Sequence, residues 1–288
     1  MAPMKSVTTR VPATTSNLGP GFDCLGVALG IANRVTLRPA KGGEHPKIVA
    51  DAAELFFKAA AIEPVGFDWS IEGDVPQSRG LGSSVTVRLG VLHGLNELTG
   101  GKLRTKRLYE LCAELEGHPD NAAPAAFGGF TVARAGGETL RAEVADTLKF
   151  ILLIPDFEVS TPEARKILPD TISRRGAVTS SANACRITAA FLQQRYELLR
   201  GCFADALHQP FREPLVPFLS RVITAGEKAG ALGGFLSGSG STICCLALDG
   251  EDAITTAMLD AAPPGSRIVV TCADNEGTRP ATPADVVP

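Results

Sequence analysis

No run of basic residues, no CxxC pair and no apolar stretch approaching the roughly 20 residues of a membrane span occur in this 288-residue sequence. Each absence removes a class of function. With a formal net charge of −3 and no Lys/Arg cluster, neither nucleic acid nor an anionic membrane surface is expected as a partner. The seven cysteines, Cys24, Cys112, Cys185, Cys202, Cys244, Cys245 and Cys272, are odd in number and sit in apolar settings, so reduced thiols in a core are expected rather than a disulfide framework. The four histidines have no zinc spacing with them, and no structural metal is expected. The first fifteen residues carry no apolar secretory core, which predicts a cytoplasmic protein. Internal repeats and low-complexity segments are also missing. What remains is a soluble chain with 44% hydrophobic and 20% charged residues, long enough for a sizeable core, for which small molecules are the default partners.

The stretch Pro76 to Gly90, PQSRGLGSSVTVRLG, is the most informative. Gly80 and Gly82 flank Leu81, and Ser83-Ser84 open a mostly apolar run that predicts a helix from Ser83 to Leu98, stopped by Gly100-Gly101. A serine at the start is expected to cap the first free N–H groups, and the glycines let the backbone turn tightly. Free N–H groups and the positive end of the helix dipole then converge on one point, which favours an anion, phosphate above all. Two known phosphate loops are excluded: GxxxxGK[ST] is missing, and GLGSSV lacks the third glycine of GxGxxG.

Elsewhere, Ser6–Arg10 alternates as a strand, and 11–26 is rich in turn formers and reads as a loop before a strand over Val27–Leu37. A helix is predicted over 52–61, a strand over 66–73, and a helix over 103–115 with leucines 108, 111 and 115 on one face. Strands follow at 130–135, 150–154 and 266–271, with helices at 165–168, 178–199 and 214–229. Residues 233–248 read as a glycine-rich turn and one apolar strand, and the tail from Asp274 as loose. A polar stretch near 136–147 marks a soft boundary. Strands and helices mix without a βαβ rhythm, which predicts an α+β fold.

Three loops, PATTSNLGPGFDCLG, SRGLGSSVTV and FLSGSGST, resemble in this order the three sequence motifs of the GHMP kinase superfamily. EGHPDNAAPAAFGGF, DFEVSTPEAR and HQPFREPLVP resemble further segments of its homoserine kinase family, so the resemblance runs from about Val11 to about Leu248. It implies a two-domain fold, an N-terminal nucleotide-binding domain over 1–145 and a C-terminal ferredoxin-like α/β domain over 146–288. It also implies ATP and Mg²⁺ as cofactors, L-homoserine as acceptor, a product that feeds threonine synthesis and a homodimer. The rivals are another small hydroxylated acceptor, or a member of the fold that binds without catalysis.

The site residues follow from the same resemblance. Pro76, Ser78, Arg79, Gly80, Leu81, Gly82, Ser83 and Ser84, with Ser237, Gly238, Ser239 and Gly240, are implied as the nucleotide-binding set. Mg²⁺ falls to Ser83 or Ser84 and to Glu116, with Glu110 and Glu114 on the same helix as alternatives. Homoserine is a zwitterion, and arginine is the natural bidentate partner of its carboxylate. Arg165 and Arg212 match the family's carboxylate-binding arginines, and Asn17 and Asp23 the residues that meet the amino group and hydroxyl, with His118 and Asn121 completing the pocket. Whether Asp23 acts as a general base stays open. Two departures stand out. Val85, Thr86 and Arg88 follow GLGSS where the family has small residues, and Glu54 stands where relatives often place an asparagine near the adenine.

Overall fold

The computed structural model describes residues 6–282 and residue 285. In chain order the elements are β1 (Val7–Ser16), β2 (Leu25–Pro39), α1 (Lys47–Ala60), β3 (Phe67–Gly73), α2 (Ser83–Leu98), α3 (Thr105–Glu116), α4 (Ala122–Phe127), β4 (Phe130–Val132) and β5 (Leu140–Ala142). There follow β6 (Lys149–Ile154), α5 (Thr161–Lys166), α6 (Arg174–Leu192), α7 (Gln209–Arg212), α8 (Leu219–Lys228), β7 (Gly233–Leu236), β8 (Ile243–Ala247), α9 (Glu251–Asp260), β9 (Arg267–Thr271) and β10 (Arg279–Pro280).

Two antiparallel sheets result. The first runs β10-β1-β2-β4-β5 with β3 also on β2. The second runs β7-β8-β6-β9, so its strands, numbered within the unit, stand in the order 2-3-1-4 of a ferredoxin-like split βαβ arrangement. The α+β class expected from the mixed pattern is what forms.

Helix α2 lies between the first sheet and α1 and α3, and is buried on nearly every side, through Val85, Leu89, Val91, Leu92 and Leu95. Gly90 and Gly94, four residues apart, let it approach β2. A Cβ at Gly90 would stand 2.4 Å from Val35 Cγ2, and one at Gly94 2.7 Å from Leu37 Cδ1. A core cluster around Leu25, Phe130, Phe150, Phe191 and Phe235 spans both sheets, with Phe130 stacked on Phe191 at 4.4 Å.

Several local expectations change. Strand β1 continues through Val11–Ser16, which the turn formers suggested was loop, because each of those side chains is buried against β2 and α2 and the ladder to β2 resumes after a bulge between Pro12 and Thr14. Gly233–Leu236 is itself a strand, paired with β8 as a hairpin. Helix α9, unanticipated, carries only Ile254 and Met258 inward and so shows a weak apolar stripe. The tail is not loose over its described part. Asp274 is 8% exposed, pairs with Arg10 and Arg279, and accepts the N–H groups of Glu276 and Gly277 at 2.9 and 2.8 Å. Strand β10 then pairs with β1, bringing the end of the chain back to the first sheet. The remainder of the expected loose tail, 283–284 and 286–288, lies outside the described residues. Among the described residues, no helix is long and apolar enough to cross a membrane.

Candidate active site

Between the two sheets lies a cavity of about 900 Å³. Its floor is the end of β1 and two loops, tied to one another. Thr14 N donates to Leu81 O at 3.2 Å, Thr242 N to Arg79 O at 3.2 Å, and Gly238 N to Ser16 O at 3.3 Å. Ser237 Oγ donates to Gly80 O at 2.7 Å and sits 2.8 Å from Thr15 Oγ1. Residues distant in sequence thus set one another's backbone.

Gly80 and Gly82 have φ of 71° and 69°, in the left-handed region. A Cβ at Gly80 would stand 2.1 Å from Ser237 O, and one at Gly82 2.1 Å from Thr14 Oγ1. Gly82 is the N-cap of α2, without a side-chain cap. The expected serine cap therefore does not form: Ser83 is already inside the helix, its carbonyl accepting from Thr86 Oγ1 at 2.8 Å, and Ser84 Oγ donates to Glu116 Oε2 at 3.0 Å. The first N–H groups of α2 are left open toward the cavity, as an anion requires.

Of the expected nucleotide set, Ser78, Arg79, Gly80, Gly82, Ser83, Ser84, Gly238 and Ser239 line the cavity. Pro76, Leu81, Ser237 and Gly240 do not. Leu81 is 1% exposed in the core and Ser237 fully buried beneath Gly80, so these shape the loops from behind. Glu116 lines the cavity; Glu110 instead bonds Arg107 at 3.1 Å on the outer face of α3, and Glu114 is exposed. Glu54 lines a separate depression beside α1, so it has no bearing on this cavity. The apolar wall comes from Pro46, Ile48, Trp69, Ile71, Val75 and Val87, which sequence reasoning missed. The alternation Trp69, Ile71 between polar residues on β3 was the available signal.

At the other end Asp23 and Arg165 face each other directly. Arg165 Nη2 donates to Asp23 Oδ1 at 2.6 Å and Nη1 to Oδ2 at 3.1 Å, a bidentate pair about one-third exposed. Burial alone would weaken the Arg165 cation, but the Asp23 hydrogen bonds and charge outweigh it and raise its pKa. Asn17, with φ of 69°, accepts Asp23 N at 3.0 Å and donates to Gly238 O at 3.0 Å, which fixes the Asp23 backbone to the third loop.

Arg212 is 2% exposed. Its Nε donates to Ala164 O at 3.0 Å, and Nη1 to Gly238 O at 3.0 Å and to His208 Nδ1 at 3.2 Å; Nη2 has no partner among the described residues. Burial, and then the nearby Arg165, lower its pKa to about 10, so it stays a cation at neutral pH. His208 donates through Nε2 to Gly19 O at 2.8 Å. Burial holds its pKa down at about 4, so a neutral imidazole accepts from Arg212. Asp205 accepts His208 N and Gln209 N at 2.9 and 2.8 Å and so anchors the start of α7. Phe22 stacks on His208 and lies 5.5 and 5.4 Å from the Arg165 and Arg212 guanidinium carbons. Phe22, Asp205 and His208 were not anticipated as parts of the site; His208 was legible only as the first residue of HQPFR.

His118 Nδ1 lies 2.8 Å from Asp120 Oδ1. Burial pushes the imidazole pKa down, but the Asp120 hydrogen bond and charge together raise it above the ordinary value. Asp120 is fully buried, and burial raises its pKa; the bond and charge of His118, then Ser16, overcome this and lower it. The stability drawn from His118 is thus complete below the ordinary histidine range and fades as pH climbs through the raised value, whereas that from Asp120 fades as pH falls through its lowered one. In an NMR titration, Asp120→Asn should drop the His118 pKa below the ordinary value, because burial is then the leading influence; an unchanged pKa would refute the coupling. Asn121, gripped by Thr14 at 2.7 Å and Ser16 at 2.9 Å, completes this wall. The carboxylates of Asp23 and Asp120 and the His118 ring cluster closely enough to suggest a cation. Arg165 and His118 already satisfy them.

One end of the cavity therefore offers open N–H groups and a serine–carboxylate pair, and the other offers paired opposite charges. Such an arrangement is chemically able to hold a polyphosphate at one end and a small zwitterion at the other.

Known proteins resemble this chain in sequence and in fold. The family described as GHMP kinases N terminal domain matches residues 47–129, and that described as GHMP kinases C terminal matches 187–261. A homoserine kinase of Clostridium beijerinckii is 40% identical over 261 residues, covering 85% of this chain and 87% of its own. The crystal structure of homoserine kinase from Cytophaga hutchinsonii superposes with a TM-score of 0.88 at 29% identity, covering 98% of this chain and 99% of that one. A mevalonate kinase structure, 14% identical with a TM-score of 0.72, covers 94% of this chain and 100% of its own and shares the fold.

Proposed function

The chain belongs to the homoserine kinases of the GHMP kinase superfamily, and from this premise we propose how its own residues carry the ATP-dependent phosphorylation of homoserine. The enzyme transfers a phosphoryl group from ATP to the side-chain hydroxyl, giving the O-phosphohomoserine used in threonine biosynthesis. Phosphoryl transfer asks the protein for little covalent chemistry and much positioning and charge compensation.

The open N–H groups at the start of α2, with Gly80 and Gly82, cradle the triphosphate. Trp69, Ile71, Val75 and Val87 receive the base at the apolar end. Ser84 and Glu116 would hold Mg²⁺. The fit rests on their 3.0 Å contact at the cavity wall, which brings a hydroxyl and a carboxylate oxygen, the hard donors Mg²⁺ prefers, to one point. When bound there, the ion neutralises charge building on the transferring phosphoryl group.

The acceptor meets a pre-paired couple. Asp23 takes the ammonium, while Arg165 and the open Nη2 of Arg212 take the carboxylate. Because Asp23 and Arg165 compensate each other, each loses water at lower cost when the zwitterion arrives. Arg165 engages both Asp23 oxygens, which argues for binding and against proton abstraction as the role of Asp23. Asn17, His118 and Asn121 keep this end rigid. The observation that carries the reading is the single cavity with phosphate-type loops at one end and Asp23, Arg165 and Arg212 at the other.

The proposal includes a division near residue 145 with the tail returning to the first unit, a cytoplasmic setting supported by the buried thiols Cys112, Cys202, Cys244 and Cys245, and a homodimer without nucleic-acid or membrane partners. A coupled ADP-release assay tests the activity. Homoserine should give MgATP-dependent turnover, with mevalonate and galactose at background; phosphorylation of either of those but not homoserine would overturn it.

A further inference from the structure

Arg88 is the sole arginine or lysine on the mostly apolar helix α2, and the reaction as described gives it no task. It lies one turn beyond Ser84 on α2, so both reach the same point on α3, the Glu116 carboxylate. Arg88 Nη1 lies 2.6 Å from Glu116 Oε1, while Ser84 Oγ donates to Oε2 at 3.0 Å. The side chains of Arg88 and Glu116 are 17% and 9% exposed. Arg88 Nε is buried with no partner, and Glu116 Oε1 has no aligned hydrogen bond despite the close approach. The guanidinium is thus present as a charge, with donor geometry only partly used. Burying an arginine this way is costly unless its charge is wanted.

Resting on the reading of Ser84 and Glu116 as the Mg²⁺-holding pair, we propose that Arg88 is a positioning residue that holds the Glu116 carboxylate toward Ser84 and, as its standing counter-charge, keeps the protein from loading a divalent cation before nucleotide phosphates arrive to share it. A lone carboxylate at a cavity wall attracts a cation by itself. A guanidinium on its far oxygen cancels most of that attraction and repels the incoming ion. Phosphate oxygens restore the missing negative charge, so cation and nucleotide bind together.

The test reads cation binding rather than turnover. Mn²⁺ is titrated into the full-length protein by electron paramagnetic resonance, alone and with a non-hydrolysable ATP analogue. Wild type should bind free Mn²⁺ weakly and bind it tightly with the analogue. Arg88→Met should tighten free Mn²⁺ binding at least about tenfold, with a smaller difference once the analogue is present. Arg88→Lys, which keeps the charge, should stay within about threefold of wild type. Unchanged or weaker free Mn²⁺ binding in Arg88→Met overturns the proposal. Melting curves verify folding, and Arg88→Gln answers the same question should the methionine variant fail to fold. Glu116→Gln separates the two readings. If it binds Mn²⁺ with the analogue as wild type does, the metal pair itself is misassigned; if it loses that binding while Arg88→Met is unchanged, only the role of Arg88 falls.

Discussion

Arg212→Ala should raise the KM for homoserine by about 10²-fold, the loss of a charge-assisted contact of about 3 kcal/mol, while the KM for ATP shifts only a few-fold. The guanidinium is not a surface arginine reaching inward. It is 2% exposed, spends Nε and Nη1 on Ala164 O, Gly238 O and His208 Nδ1, and keeps Nη2 open. Its removal should also lower stability, because these acceptors lose their donor deep in the protein, at about 1–3 kcal/mol per stranded group. Two measurements keep the effects apart. Thermal melting reports the structural cost, and initial rates at temperatures where the variant is fully folded report the substrate contact. Arg212→Lys should recover the charge but not the fork that spans His208, Gly238 and the substrate, and so restore only part of the affinity. Equal losses for homoserine and ATP would contradict the assignment of Arg212 to the zwitterion.

The second large effect is expected at Gly80. An alanine there is strained by the φ of 71°, and its Cβ would come within 2.1 Å of Ser237 O and 2.9 Å of both Gly240 N and Gly240 O. All three neighbours are backbone, so no rotamer change relieves the clash, and the second and third loops must part. The phosphate cradle moves by an appreciable fraction of an ångström or more, a displacement that costs on the order of 10²-fold in kcat/KM for MgATP. Backbone strain adds about 1–3 kcal/mol of destabilisation. Homoserine binding, proposed to rest on Asp23, Arg165 and Arg212, should change only a few-fold. Trp69, the sole tryptophan, lines the cavity, and its fluorescence offers a direct reading of nucleotide binding. Near-wild-type turnover in Gly80→Ala would mean that the loops tolerate separation and that their contact does not set the cradle.

The two variants act on opposite ends of one cavity, and the sequence disclosed those ends unequally. The α2 helix was legible to the residue, because a mostly apolar run opened by Gly80, Gly82 and Ser83-Ser84 and stopped by Gly100-Gly101 admits few other structures. The origin of its N-terminal cap was misread. Ser83 and Ser84 have the right chemistry for a cap, but the helix begins at a left-handed glycine, and Ser84 is drawn instead to Glu116, 32 positions away. A local preference lost to a tertiary partner. The same holds for Val11–Ser16, whose threonines, serine and proline suggest a loop until β2 and α2 bury them. Helix α9 was missed for the opposite reason: too little of it is buried to leave a pattern.

Among charged residues the limit is sharper. Arg165 and Asp23 both stood out by motif, but as separate partners of one substrate; that they pair with each other at 2.6 Å depends on α5 crossing the loop after β1. Arg88 was visible only as an oddity, since nothing in VTVRLG points to a carboxylate on α3.

The sequence by itself determined the mixed α+β pattern and the glycine-rich helix start, and its motifs carried the family resemblance behind the proposed phosphate cradle and zwitterion pocket, because periodicity, turn chemistry and short motifs are local properties of the chain. Only the tertiary structure decided which carboxylate faces Ser84, how Arg165 and Arg212 divide their donors, which carboxylate Arg88 meets, and where the tail returns. Those are pairings between residues tens to hundreds of positions apart, and such contacts leave no periodic trace in the sequence because folding, not proximity along the chain, brings the charges together.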